Sequence, residues 1–181
     1  GGSEASMIYM NYESKTFRSW WESKLRRESE PSFSTLSMAV GTILEDEVIN
    51  LYEHTHQVTG ERGLMKVKGI ARANTDYITG DKVSDVKVSK KAFEWYLADK
   101  VPIQYKRQLI HYRYVFGLSE ASIIAYLSDK AIENPFEPLD KRRLYEIPVT
   151  ITEEEIAEHK RRLDYLEFCR DAGIYPKEET K

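Results

Sequence analysis

The sequence predicts an α/β protein in which a central mixed β-sheet is flanked by helices. Three observations carry this. Two amphipathic helical stripes precede a cluster of short β-branched runs. A hairpin signal at Gly80-Asp81 sits inside that cluster. A second group of helices and strands then follows, closed by a capped C-terminal helix. Helices and strands that interleave in this way bury their apolar faces by layering helices on a sheet.

The opening GGSEAS (1–6) reads as a cloning scar and is set aside from the fold, which leaves one expected domain over 7–181. Ser14–Arg27 is the first helix, with Phe17, Trp20, Trp21 and Leu25 in one stripe. Trp20 and Trp21 serve either the core, a subunit interface or base stacking. Glu30-Pro31-Ser32 ends this element. The second helix runs from Ser34 to about His54, capped by Ser34 or Thr35, with Leu36, Val40, Leu44, Val48 and Leu51 in its stripe and Ile43 alongside. Gly41 within it would let another backbone approach closely. Residues 55–62 form a polar connection carrying His56.

Leu64–Ala71 alternates as a first strand. Tyr77–Thr79 and Val83–Val88 are two further strands joined by the Gly80-Asp81 turn. Ser89 caps a short helix to Ala98, with Phe93, Tyr96 and Leu97 as its apolar positions. Pro102 opens the helix Ile103–Phe116, and Gly117 closes it. Ala121–Leu127 is apolar throughout, as a strand covered on both faces is. Arg143–Thr150 alternates around Pro148 and is expected at a sheet edge. The last helix starts at Thr152, runs to about Asp171 and stops at Gly173.

Composition narrows the function. With 27 Lys and Arg against 30 Asp and Glu, the formal charge of −3 is not that of a generic nucleic-acid binder. The cations are clustered, however, at 24–27, 66–72, 87–91, 106–107 and 141–143, and local basic patches suffice for phosphate contacts. No apolar run approaches membrane-span length, and nothing after Met7 has a signal-peptide core, so an intracellular protein without a membrane is expected. The single cysteine, Cys169, permits no intrachain disulfide and no cysteine-built metal cluster, and it reads as a small core residue.

The chemistry-bearing stretch is the hairpin. Asp76 heads its first strand, and Asp85 and Lys87 sit two apart on the second, hence on one face of the pleat. Two carboxylates of this kind suit a hard divalent cation such as Mg²⁺ or Mn²⁺. Val86, between them, adds its carbonyl as a further candidate ligand. Lys87 is placed to orient water or to stabilise charge on a phosphate in flight. His111 reads as structural, and the spacing of His54 and His56 does not make a zinc site.

The pieces, taken in order, resemble the PD-(D/E)XK nuclease superfamily. TD (75–76) and DVK (85–87) are similar to its two core strand motifs. GTILEDEVINLYE (41–53) resembles the glycine–glutamate helix of the YqaJ-type phage recombination exonucleases, which include λ exonuclease. QLIHY (108–112) resembles the glutamine–tyrosine helix shared with the RecB-like branch. The resemblance covers about residues 37–128. It implies a restriction-endonuclease-like αβββαβ core and an Mg²⁺- or Mn²⁺-dependent deoxyribonuclease, with exonucleolytic action favoured over endonucleolytic. It implies Glu45 (rather than the neighbouring Glu47), Asp76, Asp85 and Val86 as metal ligands and Lys87 as the catalytic lysine. Gln108 would complete the catalytic set, with Tyr112, Lys90, Lys91 and Arg107 supporting the site or the DNA. DNA would be the substrate, in a bacterial or phage-infected host cytoplasm. A homo-oligomer and a single-strand annealing or recombination partner go with the same likeness. The sequence departs from the pattern at Tyr77, where these exonucleases carry glycine. Their N-terminal arginine-and-serine motif has only Arg18, Arg27 and Ser37 as loose counterparts. The lone cysteine separates the chain from iron–sulfur exonucleases.

Overall fold

A computed structural model describes residues 1–26, 36–128 and 137–177. In chain order the elements are a 3-10 helix Gly2–Tyr9, α1 Lys15–Arg26, α2 Leu36–His56, β1 Glu61–Arg62, β2 Met65–Lys68, β3 Ala71–Asn74, β4 Tyr77–Thr79, β5 Lys82–Ser89, α3 Ala92–Ala98, α4 Ile103–Phe116, β6 Glu120–Leu127, β7 Leu144–Pro148 and α5 Glu153–Ala172. A short 3-10 helix, Lys141–Arg143, directly precedes β7.

The main sheet has five strands in the order β1-β4-β5-β6-β7. β5 and β6 run parallel, linked through α3 and α4, and every other pair is antiparallel, so the sheet is mixed as expected. Gly80, at φ +58°, supplies the left-handed residue that the tight β4–β5 turn requires. One sheet face packs on α2 through Leu44, Val48, Ile49, Tyr52, Tyr77, Val86, Ile124 and Tyr126. The other is covered by α4, α5 and the N-terminal helices around Val83, Leu109, Ile123, Ile147 and Leu166. Cys169 is fully buried there.

Several expectations change in detail. The strand expected over Leu64–Ala71 is split at Gly69 (φ +58°) into β2 and β3, which pair with each other outside the main sheet. β7 lies at one edge as expected, and the strand beside β4 at the other edge is the two-residue β1, from within the polar connection. β1 is held because Glu53 accepts from Gly60 N (3.1 Å) and Tyr77 Oη (3.0 Å) and pairs with Arg62. A Cβ at Gly60 would lie 2.3 Å from the Ile78 carbonyl, so glycine is what permits this approach. α2 extends to His56, so the two histidines lie in its exposed last turn.

Within α2, Leu44 and Val48 are buried and Leu51 is half-buried, while Ile43 points to solvent at 60% exposure. Among the described residues, nothing lies within 4 Å of a Cβ built on Gly41, so no backbone exploits it. In α1, Phe17 and Trp21 are core, Trp20 lies at the core's edge and Leu25 is half exposed. Lys91, not Ser89, occupies the α3 cap, and Ser89 Oγ instead accepts from Lys91 N (3.1 Å). Phe93, Tyr96 and Leu97 are exposed; α3 buries Ala92 and partly Trp95. Residues 1–6, set aside at the outset, belong instead to the helix Gly2–Tyr9 and its N-cap Gly1; the helix packs Ala5 and Ile8 into the core. α5 starts with a capping box between Thr152 and Glu155 and ends at Gly173 (φ +66°). The Glu30-Pro31-Ser32 break, the Ser34/Thr35 cap, the loop at Pro135 and Arg27 lie outside the described residues.

Two buried histidines join α4 to α5. His111 Nε2 lies 2.9 Å from the Arg72 carbonyl, His111 Nδ1 lies 3.1 Å from His159 Nε2, and His159 Nδ1 lies 2.7 Å from Tyr9 Oη. A carbonyl only accepts, so His111 Nε2 carries a proton; His159 then donates to His111 and accepts from Tyr9. Burial pushes both imidazoles down, His159 to about 3. Each is neutral when folded but takes a proton in the unfolded chain below about pH 6.5. The unfolded state therefore binds more protons as pH falls, and stability is lost with falling pH. His159 should account for about 2 kcal/mol lost between pH 7 and pH 5. Raised carboxylates elsewhere act with the opposite sign. The check is therefore the difference in urea midpoints at the two pH values between wild type and His159→Gln, which should show the smaller drop.

Candidate active site

The β4–β5 hairpin and the two helices beside it bring the sequence-predicted residues together. Tyr77 pairs with Ser84. Asp76, one residue before β4, therefore comes level with the start of the Asp85–Lys87 segment. Its carboxylate takes the place of a ladder acceptor: Val86 N donates to Asp76 Oδ2 at 2.7 Å. Asp85 and Lys87 project from the same face of β5, as their spacing requires.

Asp85 is wholly buried at 0% exposure. Lys87 Nζ lies 2.6 Å from its Oδ2 in a close ion pair. Burial raises the Asp85 carboxyl; Lys87 pulls it back down, and Asp76 pushes it up again. Burial alone would lower the Lys87 ammonium, but Asp85 and Asp76 hold it above its ordinary value. Glu45 is half-buried on α2, whereas Glu47 is exposed. Burial and the Asp76 charge raise Glu45 to about 7, with Lys87 opposing. Glu45, Asp76 and Lys87 thus share one electrostatic neighbourhood.

From α4, Gln108 Nε2 donates to Tyr112 Oη at 2.7 Å, joining two buried side chains at i and i+4. Burial, together with the charges of Asp85, Asp76 and Glu45, raises the Tyr112 phenol far above its usual range. Tyr112 therefore walls the carboxylate cluster. A Cβ on Gly2 would sit 2.2 Å from its ring, so the N-terminal segment backs this wall. Lys90 and Lys91 are exposed just past β5. Arg107 turns to Tyr9, its guanidinium 4.6 Å from the ring centre. His111 is structural, as described above.

One residue was missed. Tyr105 places its ring 5.2 Å from Lys87 Nζ. It lies three residues before Gln108, so the same helical spacing that joined Gln108 to Tyr112 would have included it.

The donor set suits a hard cation. Asp85 is a fully buried carboxylate with Asp76 and Glu45 in its electrostatic neighbourhood, and oxygen-rich, negatively charged surroundings are what Mg²⁺ or Mn²⁺ selects. As the side chains stand, no group of three Asp, Glu, His or Cys among the described residues is drawn up to ligand geometry. Lys87 lies on Asp85 instead, which is the charge compensation available from the chain itself.

No family model matches the chain, and no curated protein matches it in sequence. Its fold is that of solved exonucleases. It is similar to an alkaline exonuclease, LHK-Exo, from Laribacter hongkongensis, with a TM-score of 0.75 at 14% identity over 95% of this chain and 87% of that one. LHK-Exo in complex with dAMP gives 0.73 at 13% identity, over 95% and 87% of the two chains. A phage related exonuclease from Haemophilus somnus 129PT gives 0.67 at 16% identity, over 94% and 92%. The fold implied by the motif order is thus the one observed.

Proposed function

We propose that the protein is a metal-dependent deoxyribonuclease that hydrolyses DNA phosphodiester bonds, with exonucleolytic action favoured. The observation that carries this reading is the fully buried Asp85 carboxylate, ion-paired with Lys87 and sharing its electrostatic neighbourhood with Asp76 and Glu45. The likeness in fold to solved exonucleases supports it.

Asp85, Asp76 and Glu45 would hold Mg²⁺ or Mn²⁺, with the Val86 carbonyl as a further oxygen. When bound, such an ion acidifies water and neutralises developing phosphate charge. The rest falls to the chain. Lys87 holds its ammonium where charge gathers on the scissile phosphate, a position in which a fixed donor acts most strongly. Tyr105 confines that ammonium from the α4 side. Gln108 and Tyr112 keep the wall in one arrangement and exclude bulk water. Lys90 and Lys91 offer unpaired cations to the DNA backbone. Assembly into a homo-oligomer and cooperation with an annealing or recombination partner belong to the same reading.

The test uses end-labelled linear duplex and covalently closed circular DNA in one Mg²⁺ assay. Linear DNA is expected to be degraded from an end, the circle to be spared, and excess EDTA to stop the reaction. Cutting of the closed circle would replace the exonuclease with an endonuclease. DNA binding without cleavage in Mg²⁺ or Mn²⁺ would leave a non-catalytic binding protein.

A further inference from the structure

The apolar positions of α3 do not enter the core. Phe93 and Tyr96 are 45% and 49% exposed. Their rings gather around Tyr145 of β7, with centroid distances of 5.6 Å and 5.1 Å and tilted planes. Together the three rings form one aromatic surface, with Tyr145 half-buried against the core and Phe93 and Tyr96 exposed on its outer side.

Its position relates it to the carboxylate site. Lys87 is in register with Ala125, and Ala125 with Tyr145. Partners in register share a face, and strands are about 4.8 Å apart, so Tyr145 lies on the Lys87 face, on the order of 10 Å across the sheet. The helix that carries two of the rings also borders the site: Trp95 of α3 meets Tyr105 edge-on at 5.5 Å, and Tyr105 adjoins Lys87. The aromatic surface and the site therefore lie on the same face of the sheet.

Its rim is basic. Lys90 and Lys91 lead into α3, exposed and without a side-chain partner among the described residues. On the far side, Tyr145 Oη donates to the Arg142 carbonyl at 3.1 Å, which brings the Lys141–Arg143 turn against it. Of the nearby acids, Asp140 is held by Arg142, and Glu94 lies on α3 itself. Protein–protein interface cores are depleted in lysine. Exposed rings beside unpaired cations match what unpaired nucleotides need, a π-face for each base and a charge for the backbone.

We propose that Phe93, Tyr96 and Tyr145 form a stacking platform for the bases of single-stranded DNA, with Lys90 and Lys91 on its phosphates. In relation to cleavage, the platform rests on the nuclease reading, and it would hold the unpaired part of a strand whose phosphodiester lies at Lys87.

The test is fluorescence anisotropy with a labelled oligothymidylate about 12 nucleotides long, in EDTA so that cleavage plays no part. Tyr96→Ala and Phe93→Ala are each expected to weaken binding roughly tenfold, while Tyr96→Phe, which keeps the ring, stays close to wild type. Lys90→Gln with Lys91→Gln should lower the salt dependence, the slope of log K on log salt falling by about 1.4 for two single-strand phosphate contacts. Circular dichroism checks that the variants are folded. Unchanged affinity in both alanine variants overturns the platform, whatever the cleavage assay shows. So does a change in sedimentation with unchanged affinity, which would make the surface an interface between copies. Loss of binding in the alanine variants of a protein that never cleaves would uphold the platform and remove the nuclease reading instead.

Discussion

Lys87→Ala is expected to lower the rate of DNA cleavage by roughly 10³-fold, in line with the loss of a donor aimed at developing charge. The fold should survive. Lys87 lies at the margin of the core, at 23% exposure, and its removal leaves Asp85 as the buried group to be accommodated. Asp85 is already raised by burial and by Asp76, so losing the ammonium shifts it further towards the neutral acid rather than leaving a bare charge. The variant should therefore be inactive yet cooperatively folded, and release of label from linear duplex in Mg²⁺ alongside a urea transition reads both. A clean Lys87→Ala preparation that cleaves at the wild-type rate would remove Lys87 from the chemistry.

Asp85→Asn carries the second large effect, and it separates binding from stability. In the wild-type protein, a divalent cation at about 100 times its dissociation constant should stabilise the fold by about 2.7 kcal/mol. For a domain of this size that is a rise of roughly 5–10 °C in Tm. Asp85→Asn removes the innermost ligand, so the rise with Mn²⁺ should vanish and cleavage with it. In EDTA, the same variant should lose some stability, because removing the Asp85 charge leaves the Lys87 ammonium without its ion-pair partner. Calorimetric scans with and without Mn²⁺ give both numbers. A Tm rise that persists in Asp85→Asn would place the cation elsewhere.

The parts of this molecule that were legible in the sequence are those set by local backbone chemistry. Gly80, Gly117 and Gly173 all adopt positive φ where a turn or helix end was expected, and Thr152 caps α5 with Glu155. The gathering of Asp76, Asp85 and Lys87 was legible for the same reason, since a two-residue turn sets the register. What was not legible depends on tertiary contact. Leu64–Ala71 alternates like one buried strand, yet Met65 and Val67 are exposed, and only packing decides that Gly69 breaks the run. Phe93, Tyr96 and Leu97 have helical spacing for a core that does not reach them. β1 has too few residues for any periodicity. His159 sits in a charged helix, and nothing local marks it as the partner of His111 across 48 residues.

The two outermost strands of the main sheet bear on how the protein behaves at high concentration. An uncovered strand is a template on which another chain can add itself by main-chain hydrogen bonding, and short length or proline blunts that tendency. Here one border is β1, of two residues, and the other is β7, which ends at Pro148. β1 is too short to seed an intermolecular ladder, and Pro148 removes the last amide donor of β7. Contact with another macromolecule is thereby left to side-chain surfaces, where substitutions tune it residue by residue, and the hydrogen-bonded framework that carries Asp85 and Lys87 stays closed to growth.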